Sequence, residues 1–134
     1  MVVVDTSALV AALVGRPAPA GLRERLGTVE LHTPHLLDTE LLSVLRRLVR
    51  AEELEVARAQ AAREDLDDLS IIRYPHLPLG DRVWALRDTL TAYDATFVAL
   101  AERLDAPLVT CDGRLARSGG HSAVIEYFDP SSAE

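Results

Sequence analysis

Met1-Val2-Val3-Val4-Asp5-Thr6-Ser7-Ala8-Leu9 joins an apolar run of strand length directly to a carboxylate, and that to a stretch able to form a helix. Such a run reads as a parallel strand buried on both faces, which delivers the following side chain to a crevice beyond its carboxyl end. Ala106-Pro107-Leu108-Val109-Thr110-Cys111-Asp112 has the same form. Asp5 and Asp112 are thereby expected at the ends of two strands of one sheet.

Between these two stretches, strand and helix patterns alternate. A helix is expected over residues 6–14, ended by Gly15-Arg16-Pro17, and a short one over 20–26. A strand over 29–32 precedes a helix over 36–50, where Leu37, Leu41, Val44, Leu45 and Leu48 recur at helical spacing. A charged helix follows over 52–69, then a strand over 70–74 and helices over 79–90 and 94–104. Strands over 107–110 and 124–127 complete the set. The alternation implies βα units around a parallel sheet in one domain, residues 1–130. Residues 131–134 read as a short disordered tail.

Composition narrows the function. In 134 residues the apolar share is 49% and the aromatic share only 4%, so the core is aliphatic. A single cysteine, Cys111, excludes an internal disulfide and suits a reducing compartment. No apolar run approaches the ~18 residues of a membrane helix, so a soluble cytoplasmic protein is expected. The net charge of −7 disfavours attraction of nucleic acid by bulk charge, leaving only local contacts. All 14 basic residues are arginine, which weighs against chemistry that needs a lysine.

Two further acids lie in helical stripes. Glu40 falls at the border of the Leu37, Leu41, Val44, Leu48 face, near the helix start. Asp94 shares a face with Phe97, Val98 and Ala101, unless it caps the helix beginning at Ala95. Asp5 and Asp112 also have capping and turn readings. Taken jointly, all four suit one crevice, because doubly wound sheets bind ligands where strand order reverses. Clustered carboxylates repel unless a cation neutralises them, and hard oxygen donors suit Mg²⁺ or Mn²⁺ rather than Zn²⁺. His32, His35, His76 and His121 lack ligand spacing and read as surface or turn residues. Metal-assisted phosphodiester hydrolysis follows from such a site.

Val4-Asp5-Thr6-Ser7-Ala8-Leu9, Glu40-Leu41-Leu42-Ser43-Val44-Leu45, Tyr93-Asp94-Ala95 and Leu108-Val109-Thr110-Cys111-Asp112 together resemble the PIN-domain ribonucleases. The compact size is similar to VapC-type toxins of toxin-antitoxin pairs. The resemblance implies a three-layer α/β/α domain with a mainly parallel five-stranded sheet. It implies that Asp5, Glu40, Asp94 and Asp112 hold Mg²⁺, with Mn²⁺ as substitute, and cleave RNA to 5′-phosphate and 3′-hydroxyl ends. Thr6, Ser7 and Thr110 occupy positions whose hydroxyls support the acids. A cognate VapB-type antitoxin, often with an arginine-bearing tail, and a homodimer are the implied partners. Leu115 and Arg117 stand where relatives often carry further aromatic and polar groups, so no fifth acid is expected. Arg114 and Arg117, with Arg46, Arg47 and Arg50, are candidates for contact with the RNA backbone.

Two rival readings stand beside this one. One is a phosphotransfer α/β domain, disfavoured by the missing lysine. The other is a non-catalytic module whose acids serve only as helix caps.

Overall fold

The computed structural model describes residues 1–132. Strands β1 (Val2–Val4), β2 (Leu31–Pro34), β3 (Ile71–Tyr74), β4 (Leu108–Thr110) and β5 (Ile125–Tyr127) form one sheet of order β3-β2-β1-β4-β5. All four pairings are parallel, so the sheet is wholly parallel where the resemblance implies a mainly parallel one. Every residue of β1, β2 and β4 is buried, as the central strands of a parallel sheet covered on both faces are, although β2 carries His32 and Thr33 among its four residues. The edge strands β3 and β5 are only partly covered.

The helices are α1 (Thr6–Val14), α2 (Leu22–Gly27), α3 (Leu36–Arg50), α4 (Val56–Asp68), α5 (Gly80–Ala85), α6 (Ala92–Leu104) and α7 (Gly113–Ala116). α1 packs with α3 and α4, while α6 packs with α5 and crosses β1, β2 and β4. Phe97, Leu9, Leu22, Leu37, Leu41, Leu100 and Leu108 anchor the core. At the end of α1, a Cβ on Gly15 would stand 2.3 Å from the Ala11 carbonyl oxygen, so the chain turns there only with glycine.

Strand order places the reversal between β1 and β4. The chain steps outward from β1 to β2 and β3, then returns to the other side of β1 with β4 and β5. A crevice opens at the carboxyl ends of those two neighbours, where the following helices diverge. Asp5 leaves β1 to head α1, and Asp112 heads α7 just beyond β4.

Several local expectations shift. β2 lies two residues later than expected, because its register against Val2 and against Ile71, both facing Leu31, defines its ends. α4 starts at Val56 instead of residue 52. The helix expected over 79–90 stops at Ala85, after which Arg87 N–H to Trp84 O and Thr89 N–H to Leu86 O form tight turns. α7 has no counterpart among the expected elements. His32 is a correction: it is buried in β2, its Nδ1 2.6 Å from the Tyr74 hydroxyl and its Nε2 2.6 Å from Glu30 Oε1. In the tail, Ser131 N–H donates to Asp129 Oδ1 and Ala20 N–H to Ser132 O, while residues 133 and 134 lie outside the described residues.

Candidate active site

A cleft of about 630 Å³ sits at this crevice, and Asp5, Glu40, Asp94 and Asp112 all line it. Each comes from a different segment. Asp5 ends β1, Glu40 lies on the second turn of α3, Asp94 on the first turn of α6, and Asp112 heads α7. Thr6, Ser7, Val10 and Ala11 from α1 form one wall, at the i, i+3, i+4 spacing of a single helix face. Ser43, Val44, Arg47 and Leu48 continue the Glu40 face of α3 as the opposite wall. Val44 and Leu48, expected among core residues, are only partly buried and border this cleft.

Capping and convergence prove to be the same geometry. Asp5 caps α1, its Oδ1 accepting from Ala8 N–H at 2.9 Å. Asp112 caps α7, its Oδ1 accepting from Arg114 N–H at 2.9 Å. A cap at a helix that leaves a parallel strand necessarily stands at the carboxyl end of the sheet, where the crevice is. Asp94 is not a cap: Thr91 holds that position, its hydroxyl accepting from Asp94 N–H at 3.2 Å. The Asp94 carboxylate accepts no hydrogen bond from the described residues and lines the cleft.

Hydroxyls tie the cleft together. Ser7 Oγ donates to Asp5 Oδ1 at 2.7 Å, and Thr110 Oγ1 donates to Asp5 Oδ2. The same two hydroxyl oxygens accept from Cys111 N–H at 2.9 Å and Asp112 N–H at 3.0 Å. Asp5 is thus bonded through side chains to the backbone of the β4–α7 turn. Thr6 Oγ1 donates to Glu40 Oε1 at 2.6 Å, which holds α3 to α1.

Burial pushes Asp5 up to about 6; hydrogen bonds from Thr110, Ala8 and Ser7 oppose that rise and the Asp112 charge adds to it. Asp94 is raised by burial and by Asp112, against the pull of Arg114. Asp5 and Asp94 therefore each sense Asp112 as a like charge. Cys111, buried beside them, is pushed up to about 12 by burial and then by Asp5, so it is no thiolate nucleophile. The donor set is hard oxygen, and its mutual repulsion suits a divalent cation. As these side chains are placed, no three or more of the His, Cys, Asp and Glu among the described residues are grouped tightly enough to hold one. Glu40 Oε1 and Asp112 Oδ1 are taken by protein hydrogen-bond donors and Asp112 Oδ2 faces the Arg114 guanidinium, leaving the second Glu40 oxygen and the whole Asp94 carboxylate.

The PIN domain family model matches residues 2–120. This chain is a PIN-domain protein. It is 47% identical over 120 residues to ribonuclease VapC1 of Mycobacterium tuberculosis, covering 88% of this chain and 90% of that one. It is 43% identical over 119 residues to VapC ribonuclease Mb0985 of Mycobacterium bovis, covering 89% and 91%. Among solved structures, PAE2754 of Pyrobaculum aerophilum aligns with a TM-score of 0.65 at 26% identity, covering 92% of this chain and 81% of that one. VapBC2 of Rickettsia felis, bound to a promoter DNA fragment, aligns with a TM-score of 0.68 at 17% identity, covering 96% and 100%. That last likeness establishes the fold.

In this PIN domain the expected residues Asp5, Thr6, Ser7, Glu40, Asp94, Asp112 and Arg114 all line the cleft, and Thr110 lies directly behind Asp5. Arg114 Nη2 is 3.8 Å from Asp112 Oδ2. Arg117 is exposed, lies against Gly113 and does not line the cleft. Phe97 and Pro130 also border it, and sequence reasoning assigns neither to the site. Phe97 was legible as the residue one turn beyond Asp94; nothing in the sequence pattern places Pro130 there.

Proposed function

We propose that this chain is the toxin of a VapBC-type pair, a divalent-metal-dependent endoribonuclease that hydrolyses RNA to 5′-phosphate and 3′-hydroxyl ends. The observation that carries the reading is the meeting of four acids from four separate segments in one cleft, in a chain closely related to VapC ribonucleases.

Asp5, Glu40, Asp94 and Asp112 are the residues to hold Mg²⁺, with Mn²⁺ as substitute. A bound divalent cation supplies positive charge that polarises a phosphodiester and lowers the pKa of water. The protein's own part is positional. Ser7 and Thr110 restrain Asp5, Thr6 restrains Glu40, and Asp94 keeps both oxygens open for a ligand or a proton. Val44, Leu48 and Phe97 give the cleft part of its apolar lining. Arg114, mostly exposed at the rim, offsets repulsion between the acids and an incoming phosphate.

A cognate VapB-type antitoxin is the partner this reading requires. An arginine-bearing tail in the cleft would compete with the cation for the same negative charge. A homodimer is the proposed assembly. No helix among the described residues is long and apolar enough to cross a membrane.

The test is cleavage of purified RNA with Mg²⁺ by the parent and by Asp5→Asn/Asp94→Asn. We expect cleavage by the parent alone, and sequenced fragments with 5′-phosphates. Equal cleavage by the double variant assigns the activity to a contaminant and removes the reading.

A further inference from the structure

The acidic cleft does not end at its own rim. A shallower groove lined by Ser43, Val44, Arg46, Arg47, Arg50 and Ala51 shares Ser43, Val44 and Arg47 with it. The two depressions adjoin along α3 at those shared residues. Arg47 lies seven residues from Glu40 and Arg50 ten, about 10 Å and 15 Å along the helix axis.

The charge state of this groove is unusual within the molecule. The chain carries 21 acids against 14 arginines, and most of the other arginines are engaged internally. Arg25 pairs with Glu126, Arg73 with Asp38 and Arg82 with Glu102. Arg23 donates to the Ala12 and Gly15 carbonyls, and Arg103 to that of Pro78. Arg46, Arg47 and Arg50 are exposed, and their guanidinium groups make no hydrogen bond or ion pair with the described residues. Like charges at i and i+4 on a helix repel. Arg47 and Arg50 stand in the last turn of α3, where the helix dipole favours cations, and with no partner among the described residues all three are open to an external anion.

We infer that Arg46, Arg47 and Arg50 form a phosphate track that leads single-stranded RNA along α3 into the acidic cleft. The substrate class rests on the proposed ribonuclease function; the groove, the residues it shares with the cleft and its free cations do not. Repulsion between the quartet and RNA makes such a track useful, since the protein's overall field opposes binding. Arginines presented side by side to solvent suit phosphates, which they hold without reading bases. The track therefore contributes affinity and direction, and no sequence preference.

The test uses Asp94→Asn as the background, so that bound RNA stays intact, and measures fluorescence anisotropy of short labelled single-stranded RNAs across a salt series. Arg46→Gln/Arg47→Gln/Arg50→Gln is expected to weaken binding roughly tenfold, the scale of three exposed charge pairs. Its log K against log salt slope should be shallower by about 2, at ~0.7 for each phosphate of a single strand that is no longer neutralised. The weakening should be equal for unrelated RNA sequences, and the corresponding triple lysine variant should retain both affinity and slope. Matching thermal melts establish that all variants fold. A Gln variant with the parental slope overturns the track. So does loss of polyglutamate binding with RNA binding unchanged, which gives the face to an acidic protein partner. If wild type cleaves RNA while the Gln variant keeps the parental slope, the track alone fails. If the slopes differ as expected but wild type cuts nothing, the nuclease reading fails and the track stands.

Discussion

The hydroxyl of Thr6 donates to Glu40 Oε1 at 2.6 Å, joining the first turn of α1 to the second turn of α3 across 34 positions of sequence. Among the described residues the Glu40 carboxylate has no other hydrogen-bond donor, so this bond sets where its free oxygen points. Thr6→Val is expected to lower cleavage or metal affinity by about 10- to 100-fold, the usual effect of removing a group that orients a ligand. Global stability should fall by only about 1 kcal/mol. Thr6→Ser should recover activity. Kinetics and urea melts on the three proteins check this, and a Val variant with parental activity would show that Glu40 needs no such support.

Asp5 titrates at about 6 in the folded chain against an ordinary 3.8. Between those values the folded state binds more protons than the unfolded state, so this group's contribution is fully favourable below pH ~4 and lost as pH rises through 6. About 2 pH units correspond to about 3 kcal/mol at most. Urea unfolding in a chelator should therefore show stability declining over that window, and Asp5→Asn should flatten the decline. Parallel curves for the two proteins would mean the carboxylate is not under strain.

Relief of that strain by a cation gives a separate signal. Saturating Mg²⁺ or Mn²⁺ should raise the melting temperature, with ~2.7 kcal/mol gained at one hundred times the dissociation constant. Asp94→Asn, which removes the one carboxylate of the four without a protein donor, should abolish most of the rise. Melts in chelator that superimpose on the metal-loaded ones would count against a site.

Glu102 behaves in the opposite sense to Asp5. Hydrogen bonds from Arg82 lower it from 4.5 to about 2, against some burial, and Ser122 adds to the effect. Its contribution is present above 4.5 and disappears as pH falls toward 2. The Arg82 end is solvent-screened, so Glu102→Gln should destabilise the protein by no more than about 1 kcal/mol at neutral pH. Thermal melts at neutral and strongly acid pH should converge for parent and variant only at the acid end.

The strand runs, the α1 and α3 bounds and the order of the four acids were readable because each rests on local rules. Aliphatic runs bury, Gly15 stops α1, and helical spacing marks one face of α3. β2 slipped by two residues because pairing with β1 and β3 outranks the propensity of 29–32. The Asp94 cap reading failed because Thr91, three residues earlier, is the better-placed acceptor. His32 read as a surface residue, since its partner Tyr74 is 42 positions away and belongs to another strand.

From residue order alone came the class of fold, the four candidate acids and the placement of Asp5 and Asp112 beyond two strand ends. These follow from hydrophobic period and from which residue comes next in the chain. The shared cleft, the Thr6 and Thr110 bonds, the unpaired Asp94 and the freedom of Arg46, Arg47 and Arg50 are properties of the assembled molecule. Burial, like-charge repulsion and hydrogen-bond partnership depend on distances between segments, and those exist only once the sheet has set β1 beside β4.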